Sequence, residues 1–275
     1  TLFRSDILNA IADIYGMNKN QIVVGNGAAE LLYAICRLPG YTGAFVPAPG
    51  FSEYKAALEA SRIPVRDIYY RPREDEHGKP YFEVPYLALE TFAAELKGQD
   101  GRIIVFLGNP NNPDGTLLDK NHIRTIASML KDANSLLVID ESFIDFVGND
   151  TLQDNEYTMR SLVNEFDNII VVHSFTKFYA VPGLRIGAAF SNPLIIEQLN
   201  SFIPTWSVNT LAQSYTEAAL NDVEYVKRTK QVLHEEQLFM YNSLDTLDGI
   251  TVYPPSANFM LFHIEQEGIT AESIN

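Results

Sequence analysis

The chain has 275 residues, 46% of them hydrophobic and 20% charged, with 16 glycines and 14 prolines. That composition supports a large folded core and excludes a disordered, collagenous or coiled-coil chain. Its 35 acidic residues against 20 basic ones leave a formal charge of −15, which repels the phosphates of nucleic acid and an anionic lipid surface, so neither is an expected partner.

The opening residues, TLFRSDILNA, are charged and unlike a signal peptide, and they read as the start of an amphipathic helix. The missing initial methionine and the end at ESIN read as an incomplete view of a longer protein. The single cysteine, Cys36, sits in the apolar run LLYAICRL. No intrachain disulfide is possible, and the expected compartment is the cytoplasm. Runs such as IIVFLG, SLLVI and NIIVV are far shorter than a membrane span.

Short β-branched and apolar runs recur along the chain: QIVV (21–24), GAFVP (43–47), PVRDIYY (64–70), RIIVFLG (102–108), SLLVID (135–140), NIIVVHS (168–174) and RIGAAF (185–190). Segments with helical spacing lie between them, among them AAELLYAICRL and HIRTIASMLKDA. Alternation of this kind predicts an α/β fold, a mostly parallel sheet covered by helices on both faces. REDEHGKP (73–80) reads as a solvated loop. After Asn192-Pro193 the pattern turns to long polar helical stretches and then to two strand candidates, GITVY and ANFMLFHI. The expected division is a large α/β domain over 1–220, and a connecting helix with part of a smaller domain over 221–275.

In an open α/β sheet ligands gather outside the carboxyl ends of the strands. Five segments there carry candidate residues. VVGNGAAELL (23–32) runs from a strand through a glycine turn into a helix beginning near Ala28, where free N–H groups of Gly27, Ala28 and Ala29 form an anion cradle; a tight turn with Glu30 in the first helical turn fits as well. PAPGFSEY (47–54) can present Phe51 at a strand tip, although a core aromatic has the same look. FLGNPNNPDG (106–115) has the residues of a turn, and its two prolines hold Asn112 in a rigid position for a ligand. LLVIDESF (136–143) ends an apolar strand on Asp140, a carboxylate that needs a cation or donor unless it caps a helix. HSFTKFYAVPGLRIGA (173–188) is the richest. In an extended segment Ser174 and Thr176 share a side, so both hydroxyls reach one anion, with Lys177 next and Arg185 between Gly183 and Gly187. The five histidines have no ligand spacing, so no metal is expected, and no GxSxG elbow is present.

One cofactor uses all five segments. Pyridoxal 5'-phosphate needs a lysine for its aldehyde, an acid for its ring nitrogen, an anion cradle with an arginine, and a group on each side of the ring. Lys177, Asp140, the Gly27 turn with Ser174 and Thr176, Arg185, and Phe51 with Asn112 supply that set.

With NPNNPDG, DESF and SFTK…GLRIG, the whole chain resembles the fold-type I pyridoxal-phosphate enzymes of the class I/II aminotransferase superfamily. The resemblance implies that Lys177 joins the cofactor, Asp140 pairs with the ring nitrogen, Asn112 binds the ring hydroxyl and Phe51 stacks on the ring. It gives the phosphate to Ser174, Thr176, Arg185 and the backbone at Ala28 and Ala29. The stretches GNGAAE, PGFSEY, DESFIDF, SFTKFYAVPGLRIG, PTWSVN and YPPSANFML are more similar to the L-threonine O-3-phosphate decarboxylases of cobalamin synthesis than to the histidinol-phosphate aminotransferases. Phe143 stands where aminotransferases commonly carry a tyrosine. The implied reaction is decarboxylation to 1-aminopropan-2-ol O-2-phosphate on a small phosphorylated substrate, with amino transfer from histidinol phosphate to 2-oxoglutarate as the alternative. Asn112, Trp206 and Asn209 are the candidates for the substrate end, although packing at a domain or subunit junction explains the latter two as well, and a homodimer is implied. Two other readings are weaker: a pyridoxal-phosphate regulator would need a partner-binding segment, and a nicotinamide dehydrogenase would need a third glycine where Glu30 stands.

Overall fold

In the computed structural model, residues 5–96, 101–148, 152, 155–265, 268–270 and 273 are described. The first four and the last two residues, on which the reading of the ends rested in part, lie outside them. The chain runs α1 (Ser5–Tyr15), β1 (Ile22–Gly25), α2 (Gly27–Ile35), β2 (Tyr41–Ala48), α3 (Glu53–Ala60), β3 (Val65–Tyr69), β4 (Arg71–Glu74), β5 (Pro80–Glu83), α4 (Tyr86–Glu95), β6 (Arg102–Gly108), α5 (Lys120–Asp132), β7 (Leu136–Asp140), β8 (Ile169–Ser174), α6 (Phe175–Phe178) and β9 (Gly187–Phe190). It continues with α7 (Pro193–Phe202), α8 (Thr210–Leu220), α9 (Val223–Asp245), β10 (Ile250–Val252) and β11 (Phe262–Ile264).

Every apolar run singled out before Asn192 becomes a strand of one seven-stranded sheet, in the order β1-β9-β8-β7-β6-β2-β3. The fold is α/β, and the sheet is mostly parallel. β9 alone runs antiparallel to both neighbours; β2, β3, β6, β7 and β8 pair in parallel. All five residues of β7 and all six of β8 are buried, as a parallel strand covered on both faces must be.

Alternation along these strands sends side chains to two cores. Leu137, Ile139, Ile169 and Val171 join the first, with residues of α1, α4, α5, α8 and α9. Leu136, Val138, Ile170 and Val172 join the second, with residues of α2, α3 and α7. α5 shows why such helices form. Ile123, Ile126, Ala127 and Leu130 line one buried stripe, and the Asp119 side chain caps the amino end by accepting from Asn121 and His122 N–H.

The segment read as a solvated loop is instead the tip of a hairpin, with β4 and β5 antiparallel. Its residues are largely exposed, so backbone pairing forms it without the apolar periodicity that would announce it. The long polar stretch after Asn192 breaks at Asn221-Asp222, where the Asp222 side chain accepts from Tyr225 N–H and starts α9. β10 and β11 pair antiparallel, as the two closing strand candidates do. Among the described residues no helix is long and apolar enough to cross a membrane.

Candidate active site

Sheet direction assembles the candidate residues. Since β9 is antiparallel to β1 and to β8, the carboxyl ends of β1, β8, β7, β6 and β2 and the amino end of β9 share one edge. Gly187 pairs with both Gly25 and Ser174, and Gly108 pairs with Asp140. The segments that follow those strands, with Gly27, Phe51, Asn112 and Lys177, and the one that precedes β9, with Arg185, therefore meet along that edge.

At its far end lies the start of α2. Gly27 has φ +82°, and a Cβ there would run into Nη2 of Arg185; a Cβ on Gly187 would come within 2.6 Å of the Ala28 nitrogen. Bare backbone at both positions lets β9, the helix start and the guanidinium close together. Asn26 makes no side-chain cap, and the Glu30 carboxylate instead accepts from Asn26 N–H at 2.6 Å. Arg185 itself is exposed, with φ +56° and Nη1 donating to Pro182 O at 3.3 Å.

Ser174 and Thr176 stand as neighbours, their hydroxyl oxygens 2.8 Å apart. The reason differs from the expected one. Residues 175–178 form one helical turn, so curvature of that turn, and not the alternation of an extended strand, brings Thr176 back to Ser174. The same turn carries Lys177, whose Nζ donates to Ser174 Oγ at 3.3 Å and lies 5.3 Å from the centre of the Phe143 ring. Burial lowers the Lys177 pKa, and the charge of Arg185 lowers it further against the opposing pull of Asp140.

Asp140, 6% exposed, closes β7. Its Oδ1 accepts from Ser142 N–H at 2.9 Å and its Oδ2 from the Tyr54 hydroxyl at 3.0 Å. Neutral donors therefore satisfy the carboxylate, and the residues after it form a turn and not a capped α-helix. Phe51, half-buried, meets the Tyr54 ring edge-on at 5.6 Å.

The Asn112 loop is held by its neighbours. Asn109 donates to Glu141 Oε1 at 3.2 Å and to Tyr157 O at 2.8 Å, and accepts from Leu118 N–H at 3.1 Å. Asn111 donates to Pro49 O at 3.0 Å and to Asp114 Oδ2. The Asn112 side chain is left half-buried at the rim.

Among the described residues, Trp206 and Asn209 make no hydrogen bond to the side chains of this set. Trp206 is 71% exposed, over a groove of about 640 Å³ lined by residues of α1, β1 and α7. Asn209 caps α8, accepting from Ala212 N–H at 2.8 Å and donating to Leu184 O at 3.0 Å.

The model of the family described as aminotransferase class I and II matches residues 4–271. The chain belongs to that family. Its members are pyridoxal-phosphate enzymes. Over 91% of its length the chain is 34% identical to the adenosylcobalamin biosynthesis bifunctional protein CobDQ of Leptospira interrogans. Over 94% it is 32% identical to the threonine-phosphate decarboxylase of Salmonella typhimurium. It spans 27% of the first relative and 67% of the second. The histidinol-phosphate aminotransferase structure from Clostridium acetobutylicum superposes with a TM-score of 0.81 at 22% identity, covering 99% of this chain and 75% of that one.

Within this family member two buried groups escaped the sequence reading. Tyr54 was visible only as the last letter of PGFSEY. Glu141, fully buried, accepts from Thr158 Oγ1 at 2.6 Å and Met159 N–H at 2.5 Å, and it faces Arg160 at 3.7 Å. Nothing in the spacing of DESF distinguishes its two acids; alternation across the sheet does, since Asp140 continues the face of Leu136 and Val138 and Glu141 the other.

Proposed function

We propose that this chain carries the cofactor site of an enzyme that decarboxylates L-threonine O-3-phosphate. The observation that carries the reading is the 32% identity to a threonine-phosphate decarboxylase along 94% of the chain. The apolar Phe143 ring beside the Lys177 amine, where aminotransferases commonly have a hydroxyl, agrees with it.

The residues present fit pyridoxal phosphate. The cradle at Gly27 leaves no room for a Cβ, and backbone N–H groups of Ala28 and Ala29, the Ser174 and Thr176 hydroxyls and the Arg185 guanidinium are a donor set suited to a phosphate dianion. Bound there, the cofactor supplies an electron sink for charge developing at the substrate Cα. Asp140 would hold a proton on the ring nitrogen, Phe51 would cover one ring face, and Asn112 would hydrogen-bond the ring hydroxyl. Lys177, its pKa lowered by burial, gives up its proton more readily than a free lysine, and the amine so freed would join the cofactor aldehyde.

In decarboxylation the bond from Cα to the carboxylate breaks, carbon dioxide leaves, and Lys177 delivers a proton to Cα. The product is 1-aminopropan-2-ol O-2-phosphate. The same lysine would remove the Cα proton in amino transfer, so the groups that hold the substrate decide the reaction. We further read residues 1–220 as the large domain, 221–275 as the connecting helix with part of a smaller one, and the full-length protein as a cytoplasmic homodimer. The test gives full-length protein L-threonine O-3-phosphate alone, and separately histidinol phosphate with 2-oxoglutarate. Carbon dioxide release in the first supports the proposal; glutamate formation in the second, without such release, overturns it in favour of the aminotransferase.

A further inference from the structure

We infer that Tyr54 is a positioning residue for the site, fixing the orientation of the Asp140 carboxylate toward the cofactor ring nitrogen. The inference rests on the cofactor reading above and assigns a role to a residue which that reading leaves unused.

The two oxygens of Asp140 are engaged separately, Oδ1 by a backbone N–H and Oδ2 by the Tyr54 hydroxyl. Rotation of the carboxyl group would break both bonds at once. Tyr54 is itself fixed. It is 3% exposed, its ring stacks on Phe106 at 5.3 Å with 19° between planes, and it meets Phe51 edge-on. Its backbone N–H reaches Phe51 O at 3.3 Å, so one turn of the chain links Phe51 to the donor on the carboxylate.

The identity of the donor matters. Burial and the Asp140 charge hold the Tyr54 pKa well above the ordinary tyrosine value, so the phenol remains a neutral donor. A lysine or arginine in its position would cancel the charge of Asp140. A neutral hydroxyl stabilises the carboxylate and leaves its charge free for a cationic ring N–H.

The experiment compares full-length wild type, Tyr54→Phe, Asp140→Ala and the double variant, each loaded with pyridoxal phosphate. Tyr54→Phe keeps the ring packed on Phe106 and deletes only the hydroxyl. Three quantities are read: the cofactor dissociation constant, the pH midpoint of the bound-cofactor absorbance, and kcat and KM for the substrate identified above. In Tyr54→Phe the midpoint should move by about one pH unit and kcat should fall about tenfold with KM little changed, the size expected of one hydrogen bond to a charged group. In the Asp140→Ala background the same substitution should do nothing more, because Tyr54 acts only through Asp140. A wild-type midpoint and kcat in Tyr54→Phe, or an equal effect with and without Asp140, overturns the inference. Failure of wild type to take up the cofactor, or an unchanged absorbance profile in Asp140→Ala, instead overturns the cofactor reading beneath it.

Discussion

The Lys177 amine stands 3.3 Å from the Ser174 hydroxyl, one helical turn back along the chain, and 5.3 Å from the centre of the Phe143 ring. A hydroxyl and an apolar ring stand beside it, and the charge of Asp140 only partly offsets the effect of burial. That setting explains why the amine gives up its proton more readily than a free lysine.

Cofactor uptake should therefore follow pH with a predictable sign. Uptake needs the neutral amine, so its rate should rise as pH climbs through a midpoint below that of an ordinary lysine. Arg185→Ala should raise the midpoint, and Asp140→Ala should lower it. The linked effect on stability has the same direction: the unfolded chain binds more protons between the lowered pKa and the free-lysine value, so the penalty for burying Lys177 is full below that window and fades across it. Rapid-mixing absorbance against pH checks the first point. A midpoint at or above that of free lysine contradicts it.

Asp140→Ala should reduce turnover far more than cofactor occupancy, since on the proposed reading it removes the ring-nitrogen partner and leaves the phosphate cradle intact. The buried Tyr54 hydroxyl then loses its acceptor, which costs about 1–3 kcal/mol of stability. Parallel titration of bound cofactor and product formation checks the split, and equal losses would mark Asp140 as a structural carboxylate.

Gly27→Ala should weaken cofactor binding about tenfold or more, because the new methyl meets Arg185 Nη2 and the backbone φ of +82° costs about 1–2 kcal/mol in any other L-residue. Equilibrium binding measures it; unchanged affinity would place the phosphate elsewhere.

How far the sequence foretold this arrangement depends on burial. The seven strands of the main sheet were legible because their runs are buried on one or both faces, and the strand-end rule then named Asp140, Lys177 and Gly27. The β4-β5 hairpin was not, since exposed residues such as Arg71 and Glu74 carry no period. Ser174 and Thr176 were paired for the wrong reason, a one-turn helix being too short to mark itself. Tyr54 and Glu141 gain their partners from contacts 86 residues away for Tyr54 and 32 for Glu141, which no local spacing encodes. Asn209, a candidate for the substrate end by sequence, also caps α8 and holds Leu184 O, a role that Asn at a helix start favours and that local spacing does not announce.

Glu141→Ala should destabilise the fold strongly. The residue is fully buried, joins the Asn109 loop to the 158–160 segment, and faces Arg160, which is itself 3% exposed and lies over the Tyr15 ring. Removing one member of such a buried pair costs about 3–5 kcal/mol. Urea unfolding of the apoprotein checks it, with a change under about 1 kcal/mol contradicting the network's importance.

The most direct measurement maps where pyridoxal phosphate attaches. The protein is loaded with the cofactor, reduced with borohydride, digested and examined by mass. The account predicts the added mass on the peptide containing Lys177, and none in Lys177→Ala. An adduct on another lysine, or one that survives the substitution, would contradict it.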